Sequence, residues 1–563
     1  MDNNDGLAAC RTWMQSRHYD ALIIPTNDPH FSEYVAEHWQ TRQWLSGFSG
    51  SAGTAVVTAD QAIVSVDSRY FLQAENQLAP GFSVLKQQIA HTTEHLDWIA
   101  GELSAGAVVA IDSRLCSVNG VADIGARLAK NNIELQLCED PFAQLWPDRP
   151  PLPNYELFEL DIAYCGVERQ SKLQSLRTEL AGRTFLVTAL DEIAWLLNLR
   201  GSDVEFNPVF YAWLLIEEKQ ATLCCDNPMP QNMRDALTAD SVTLRPYADI
   251  AELLEGETLT VHCDCALLPA QLGQNAVDLA SPISLQKAIK NTIELTNLQL
   301  AMLKDARALQ AFYHWLKNES EQRTLSEWDC AEQLDACRAQ QGNYIGPSFP
   351  AIVGSRQNGA IVHYHPTAEQ CDPIAPGVLL IDSGGQYLEG TTDITRTICI
   401  GEPTPEQRTH YTLVLQGLIA LSEAEFPRGT TGNQIEVLAR HPLWKRGLNY
   451  GHGTGHGVGY LLNVHEGPQS FGRGAAAKNI ALQPGMLITI EPGYYVPGSH
   501  GIRNENMVAI TEAENEGFLR FTTLTVHPFD TEMLDDELLD DRERAWLAQY
   551  NAHCAVLLGE AAA

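Results

Sequence analysis

Basic side chains are scarce in this sequence. Its 563 residues include 37 Lys and Arg against 71 Asp and Glu, which gives a formal net charge of -34. A chain of this charge repels phosphate backbones and anionic lipid headgroups. The composition therefore argues against nucleic-acid and membrane-surface partners and predicts an acidic, soluble protein.

Long apolar runs and paired cysteine motifs are also missing. No segment approaches the roughly twenty apolar residues of a membrane-spanning helix, and the opening MDNNDG lacks the features of an export signal. The 13 cysteines form no CxxC pair. The closest pairs, Cys224 with Cys225 and Cys263 with Cys265, are interpreted as small buried apolar residues, not as zinc ligands. We expect reduced thiols and a cytoplasmic location.

Length and patterning predict three domains, because a single core stops growing well below 563 residues. Short β-branched runs such as ALIIP and AVVAID alternate with helical stretches in the first part, which indicates an α/β domain over residues 1–146. The proline-rich passage Trp146–Pro153 continues neither a helix nor a central strand, so it is interpreted as a linker.

The α/β alternation returns after this linker and predicts a second domain of the same architecture over residues 155–283. From Leu285 onward, apolar residues recur at intervals of three and four, which is typical of a long amphipathic helix. This helix is expected to open a third domain over residues 284–563. Nearly all the Gly-His and acidic motifs lie there, so we expect the chemistry there.

Two aspartates stand in neighbouring apolar runs of the third domain. VLLIDSGGQY contains Asp382, and GTTDITRTICI contains Asp393. In a hairpin centred between them, the two carboxylates are expected to lie opposite one another on one face. Facing anions between apolar strands need a cation to be tolerated.

A second pair of acids repeats this arrangement. MLITIEPGYY contains Glu491, and GIRNENMVAI, after a turn through PGSHG, contains Glu505. Either glutamate alone could be structural. Four acids in two hairpins predict a site for two divalent cations.

The segment YGHGTGHGVGY lies between the two hairpins and contains His452 and His456. Glycine at every second position from Gly451 to Gly459 excludes a stable helix, so a helical HExxH zinc motif is excluded, and a phosphate-binding loop lacks its Lys-Ser/Thr. The glycines let the backbone approach a buried centre closely. We expect one imidazole to coordinate metal and the other to face substrate.

Two more histidines stand at suggestive positions, His363 in AIVHYHP and His465 in NVHEGP. An imidazole can donate a hydrogen bond to a carbonyl oxygen or to the oxyanion that develops from it. His365, in the same segment as His363, is left unassigned because the following proline leaves the strand.

These motifs resemble, in order, those of the dinuclear pita-bread metallopeptidases, and more closely long-form aminopeptidase P. The resemblance extends over the whole chain, including IIPTNDPHFSEYVAE, SGFSGSAGTAVVT and SRYFLQAENQL near the start and FTTLTVHPFDTEML near the end. The family pattern has an apolar residue where this chain has Asn504. The fold class implied is two creatinase-like α/β domains followed by a pita-bread domain of α+β type.

The resemblance also implies roles for the individual residues. Asp382 would bind one metal, His456 and Glu491 the other, and Asp393 and Glu505 both. A metal-bridged hydroxide would be the nucleophile, and Glu491 would pass a proton to the leaving nitrogen.

The remaining roles concern the substrate. His363 and His465 would hold the scissile carbonyl, His452 would line the substrate pocket, and Asp382 would lie near the substrate amine. Arg503 would pair with an acidic neighbour and so fix the strand that carries Glu505. Arg69, in SRYFLQ, resembles a family residue that reaches substrate.

The resemblance implies an Xaa-Pro aminopeptidase with peptide substrates that carry proline at position two. The oxygen-rich ligand set favours Mn²⁺, with cobalt and zinc as substitutes, and the family implies a homodimer. Three alternatives are weighed: a prolidase confined to Xaa-Pro dipeptides, a methionine aminopeptidase, and a catalytically inactive pita-bread module that binds peptides or histones. Length argues against methionine aminopeptidase, and the complete ligand set argues against an inactive module.

Overall fold

The computed structural model describes residues 3–88, 92–254, 259–262, 276–472 and 479–559. The chain forms two compact units. One comprises Met1–Leu160 with Val167–Ile283, and the other comprises Asp161–Gly166 with Ser284–Ala563. The division into three domains at 146–155 and 283–284 stays a prediction.

The first unit contains two six-stranded sheets. The strands of the first sheet are β1 Ala21–Pro25, β2 Thr54–Thr58, β3 Ala62–Val66, β4 Ser83–Lys86, β5 Val108–Asp112 and β6 Glu134–Cys138. They follow the order β4-β3-β2-β1-β5-β6. The central strands consist almost entirely of buried residues, as in a sheet covered on both faces.

The second sheet has the same pattern of parallel and antiparallel neighbours, in the order β12-β11-β10-β8-β13-β14. Its strands, with the short β7–β9 pair, are β7 Phe158–Glu159, β8 Phe185–Val187, β9 Leu199–Arg200, β10 Trp213–Ile216, β11 Ala221–Cys224, β12 Val242–Arg245, β13 Leu259–Val261 and β14 Ala276–Asp278. The predicted repetition of the first architecture is confirmed.

Helices connect the strands of this first unit. The α-helices are Asn3–Ser16, Thr41–Ser46, Phe71–Gln77, Glu94–Glu102, Val118–Ala129, Phe142–Leu145, Arg169–Leu180, Leu190–Leu197, Gln231–Ala239 and Ile250–Leu253. Short 3-10 helices lie at Glu37–Trp39, Ser113–Leu115 and Tyr247–Asp249.

The second unit contains several small antiparallel sheets. Its strands are β15 Tyr344–Pro347, β16 Ile352–Ser355, β17 Gly377–Ser383, β18 Gly385–Tyr387, β19 Gly390–Thr391, β20 Ile394–Ile400, β21 Glu425–Pro427, β22 Gly455–Gly457, β23 Glu466–Phe471, β24 Leu487–Ile490, β25 Gly493–Val496, β26 His500–Arg503, β27 Asn506–Glu512 and β28 Phe518–Thr523. A four-stranded sheet has the order β21-β28-β27-β24, and two three-stranded sheets have the orders β15-β18-β19 and β16-β17-β20.

Helices make up much of the rest of this second unit. They are Ile162–Cys165, Pro282–Ala288, Thr292–Ser320, Glu327–Ala339, Pro405–Ser422, Gly432–Ile435, Val437–Trp444 and Asp541–Leu558, with 3-10 helices at Arg356–Ala360 and Thr531–Met533. The single long helix expected from Leu285 is interrupted. Asn291 caps a new helix by accepting from Ile293 N and Glu294 N, and Glu294 accepts from Asn291 N in return.

Two observations bear on the expectations from composition. No helix in the described ranges is both long and apolar enough to cross a membrane. The cysteines there are all free thiols, with Cys224 buried and Cys225 half-buried. Cys263 and Cys265 lie outside the described residues.

Candidate metal centre

Asp382 lies on β17, and Asp393 immediately precedes β20, the antiparallel partner of β17. Asp382 stands opposite Thr395 and Ser383 opposite Ile394, so Asp393 falls just before the ladder. The expected direct pairing of Asp382 with Asp393 is therefore wrong. The two aspartates do not pair because the residues between them do not form a simple turn. They form β18 and β19, which pair in another sheet.

The second pair of acids lies at the ends of β24 and β27. Ile490 pairs with Asn506, and Glu491 and Glu505 immediately flank that pair. The expected location of both glutamates at the ends of apolar strands is confirmed.

His456 lies in the middle of β22, between β23 and β24. A Cβ atom on Gly455 would overlap the carbonyl oxygen of Thr489, and one on Gly457 would overlap that of Glu466. Glycine is thus required on both sides of His456 for the three strands to approach. The prediction of close backbone approach in place of a helix is confirmed.

These elements bring together three ligand-type side chains, Asp393, His456 and Glu505, with one candidate ligand atom from each within 4.8 Å of the others. His456 Nε2 lies 3.5 Å from Asp393 Oδ2 and 3.7 Å from Glu491 Oε1. Asp382 lies close enough to raise the pKa of Asp393. The four carboxylates and His456 thus form one cluster.

Burial and mutual repulsion dominate the electrostatics of this cluster. Burial, followed by the charge of Glu505, raises the pKa of Glu491 from 4.5 to about 8. Burial and the neighbouring Asp382 hold the pKa of Asp393 well above its usual range, and burial and Asp393 do the same for Glu505. Without a counter-charge these groups favour their protonated forms.

The donor set fits divalent cations. His456 Nδ1 lies 2.9 Å from the carbonyl oxygen of Gly457, which can only accept, so Nδ1 carries the proton and Nε2 presents a lone pair toward Asp393 and Glu491. Oδ1 of Asp382 and Oε1 of Glu505 are buried and have no hydrogen-bond donor in the described part of the chain. Buried carboxylate oxygens without a donor are groups whose charge a cation neutralises.

Arg503 connects this cluster to the neighbouring loops. Its Nη2 and Nε donate to Asp382 Oδ2 at 2.6 and 3.1 Å, which leaves Oδ1 for a cation. Nη1 donates to the Tyr495 hydroxyl at 2.7 Å, and Nη2 also lies 3.3 Å from the carbonyl oxygen of Val362. The prediction that Arg503 pairs with an acid is confirmed, and that acid is Asp382.

His452 contacts the same Tyr495 hydroxyl that Arg503 contacts. Its Nδ1 is 2.7 Å from the carbonyl oxygen of Gly453 and therefore carries the proton, so Nε2 accepts from the Tyr495 hydroxyl at 2.8 Å. A directed chain of hydrogen bonds runs from Arg503 through Tyr495 to His452. Its role toward substrate stays a prediction.

Of the other predicted substrate groups, His465 contacts the cluster and His363 lies beside a residue that Arg503 contacts. The ring of His465 meets that of His456 edge-on, with centroids 4.2 Å apart. His363 is half-buried and follows Val362, the residue whose carbonyl Arg503 holds. Glu327, which is fully buried, fixes this segment by accepting from Tyr364 Oη at 2.6 Å and Ser355 N at 2.7 Å.

Three residues of this site were missed or left open by sequence reasoning. Thr395 donates to Glu505 Oε2 at 2.8 Å, and Tyr495 joins Arg503 to His452. His365 has a pKa lowered to about 4 by burial, against the opposing effect of the nearby Asp382. The expectation of a strand here is wrong, because residues 361–365 form a bend and a turn followed by irregular chain, so strand alternation could not place His365.

Arg69 belongs to the first unit. Its guanidinium forms a fork with Asp67, with Nε to Oδ1 at 2.9 Å and Nη2 to Oδ2 at 2.7 Å. Its proposed reach toward substrate stays a prediction.

Comparisons with known families cover nearly the whole chain. Residues 296–512 match metallopeptidase family M24, and residues 517–561 match the C-terminal region of peptidase M24. Residues 7–145 and 148–294 each match the creatinase/prolidase N-terminal domain.

The probable Xaa-Pro aminopeptidase P of Sordaria macrospora is 38% identical over 98% of this chain and 95% of its own length. The chain belongs to the Xaa-Pro aminopeptidase P family of the M24 metallopeptidases. Aminopeptidase P2 of Arabidopsis thaliana, another member, is 40% identical over 95% of this chain and 82% of its own length.

Among solved structures, X-prolyl aminopeptidase from Caenorhabditis elegans matches with a TM-score of 0.93 and 32% identity, covering 99% of this chain and 96% of that one. It is described as a cytosolic enzyme with a di-nuclear active site. Family membership confirms the predicted fold class, two creatinase-like domains and a pita-bread domain, and the predicted class of enzyme, a metallopeptidase.

Proposed function

We propose that this member of the family is an Xaa-Pro aminopeptidase, which hydrolyses the bond between an N-terminal residue and a penultimate proline. The observation that supports this most strongly is the convergence of Asp393, His456 and Glu505, with Glu491 and Asp382 beside them, in a chain related over its full length to such enzymes.

Two divalent cations fit this site. Asp382 would bind one, His456 and Glu491 the other, and Asp393 and Glu505 both. When bound, the cations lower the pKa of water and polarise a carbonyl group. The predominance of carboxylate oxygen ligands favours Mn²⁺ over softer metals.

The side chains around the cluster supply proton transfer and positioning. Glu491, a partly exposed carboxylate at the edge of the cluster, is suited to take a proton and deliver it to the leaving imino nitrogen. His465 and His363 would donate to the scissile carbonyl oxygen as it gains negative charge. The free amine of the substrate would lie near Asp382, and His452 with Arg69 would contact the rest of the peptide.

Proline at the second position suits such a site because proline has a fixed φ and carries no amide hydrogen. Alanine there would bring an N–H without an acceptor, at a cost of roughly 1 to 3 kcal/mol, or about tenfold to a hundredfold in rate.

The test compares kcat/KM for Arg-Pro-Pro, Arg-Ala-Pro and the dipeptide Ala-Pro, using protein stripped of metal and reloaded with Mn²⁺. Cleavage of Arg-Pro-Pro well above Arg-Ala-Pro is expected. Activity confined to Ala-Pro would make the protein a prolidase, and no turnover with two metals bound would make it a binding module.

The cellular setting is also a proposal. The related worm enzyme is described as cytosolic, and we propose a cytoplasmic homodimer here. Fractionation of cells and sedimentation of the purified protein test the two parts separately.

A further inference from the structure

Arg396 connects the backbone of Glu505 to the C-terminal segment of the chain. It lies on β20 and is 2% exposed. Its Nη1 donates to the carbonyl oxygens of Thr395 at 2.9 Å and Glu505 at 2.6 Å. The guanidinium therefore holds the backbone on both sides of the β20–β27 contact, next to a proposed metal ligand.

The remaining donors of Arg396 point toward the C-terminal segment. Nε donates to the carbonyl oxygen of Pro528 at 3.1 Å, and Nη2 donates to the carbonyl oxygen of His527. The ring of Phe529 lies beneath the guanidinium at 4.0 Å. In the described ranges Arg396 makes no ion pair, so its charge is directed at carbonyl, amide and hydroxyl oxygens and a ring face.

Tyr550, on the last helix, completes this arrangement. Its hydroxyl accepts from Arg396 Nη2 at 3.0 Å and donates to the carbonyl oxygen of Thr525 at 3.0 Å or of His527 at 3.1 Å. It also lies 3.3 Å from Oδ1 of Asn506, the residue after Glu505. Asn506 Oδ1 accepts from the same Nη2 at 2.8 Å. The ring of Tyr550 stacks on Trp546 with 5.2 Å between centroids and 2° between planes, which fixes where the hydroxyl lies.

From these contacts we infer that Arg396 and Tyr550 are positioning residues that hold the backbone at Glu505, so that the C-terminal segment sets the affinity of the metal centre. The inference rests on the proposed role of Glu505 as a ligand to both cations. It extends the site from the ligands to the last helix of the chain.

A matched pair of substitutions tests the inference. Tyr550→Phe removes the hydroxyl that contacts Arg396 and Asn506. Tyr313→Phe removes another buried tyrosine hydroxyl from the same region. The Tyr313 ring stacks on His527 at 5.0 Å, but its hydroxyl has no hydrogen-bond partner among the described residues.

The measurements are the Kd for Mn²⁺ by calorimetric titration of metal-stripped protein, the unfolding midpoint of that protein, and kcat and KM for Arg-Pro-Pro at saturating Mn²⁺. Groups that orient metal ligands change affinity by roughly 10- to 100-fold when removed. We expect Tyr550→Phe to bind Mn²⁺ about tenfold more weakly and Tyr313→Phe to stay within about twofold of the wild type. Saturating Mn²⁺ should restore most of the kcat of Tyr550→Phe.

Arg396→Lys provides a second variant, since it keeps the charge but cannot reach all the carbonyls. It should weaken Mn²⁺ binding at least as much as Tyr550→Phe. Equal Kd values for Tyr550→Phe and Tyr313→Phe would overturn the inference. Mn²⁺ binding without any Xaa-Pro hydrolysis would overturn the proposed function alone, whereas a wild-type protein that binds no divalent cation would overturn both.

Discussion

Metal-free protein should lose stability as the pH rises from about 6.5 to about 8. The folded-state pKa of Glu491 is raised from 4.5 to about 8. Between these values the unfolded chain has released the proton that the folded chain still holds. The free energy of unfolding therefore falls with pH, and the contribution of the protonated glutamate is lost as the pH passes about 8.

The size of this loss of stability follows from the difference between the folded and unfolded pKa values of Glu491. Each pH unit between the two pKa values lowers the free energy of unfolding by about 1.4 kcal/mol. A rise from about pH 6.5 to about pH 8 therefore lowers it by about 2 kcal/mol. Below about 6.5, buried histidines act in the opposite direction. His30 and His365 have pKa values lowered to about 4 by burial, so they favour the folded state as the pH rises to 6.5.

The assay is urea unfolding of metal-stripped protein across that range, with Glu491→Gln as the control. Glutamine keeps the shape without the proton equilibrium, so the wild type should lose about 2 kcal/mol relative to the variant. Mn²⁺ should stabilise the wild type more at pH 8 than at pH 6.5, because the ligands must be deprotonated. A wild-type stability that is flat or rising over this range relative to Glu491→Gln would refute the reasoning.

Three further substitutions follow from the geometry. Gly457→Ala should abolish metal binding and lower the unfolding midpoint, because the added Cβ would overlap the carbonyl oxygen of Glu466. An unchanged metal content, measured by mass spectrometry, would contradict this. His465→Ala should keep both ions but lose about 100- to 1,000-fold in kcat, and near-normal turnover would remove its role on the carbonyl. Arg503→Gln should weaken metal binding, because Asp382 Oδ2 loses the hydrogen bonds from the guanidinium. A metal titration measures the change in Kd, and an unaltered Kd would show that Asp382 is held by other means.

Sequence patterning predicted the fold well where burial alone decides the structure. The β-branched runs that became β1 and β5 are buried strands, and the repeated α/β architecture is visible in the alternation itself. The break at Asn291 was missed because the apolar period continues through it. Its signal was local, an Asn followed three residues later by Glu294, and this capping pattern defines a helix start inside an uninterrupted hydrophobic stripe.

The clustering of the candidate ligands could be predicted because carboxylates set between apolar strands are costly to bury without a cation, and glycines around a histidine mark close packing of the backbone. The register of Asp382 against β20 could not be predicted from the sequence. The intervening strands β18 and β19 contain only three and two residues, which is too short for a recognisable alternation of apolar and polar residues. The contact of Thr395 with Glu505 and that of Tyr495 with His452 join side chains from distant parts of the chain. No local spacing encodes such a contact.

The bonds of Arg503 limit how this site can be altered. One guanidinium fixes the carboxylate of Asp382, the hydroxyl that orients His452, and the backbone beside His363. With His363 in its proposed role on the substrate carbonyl, a substitution that reshapes the segment around it will also shift the guanidinium that orients Asp382. Changes of substrate preference in this enzyme should therefore carry changes of metal affinity with them, and selection for a new peptide will have to act on both properties together.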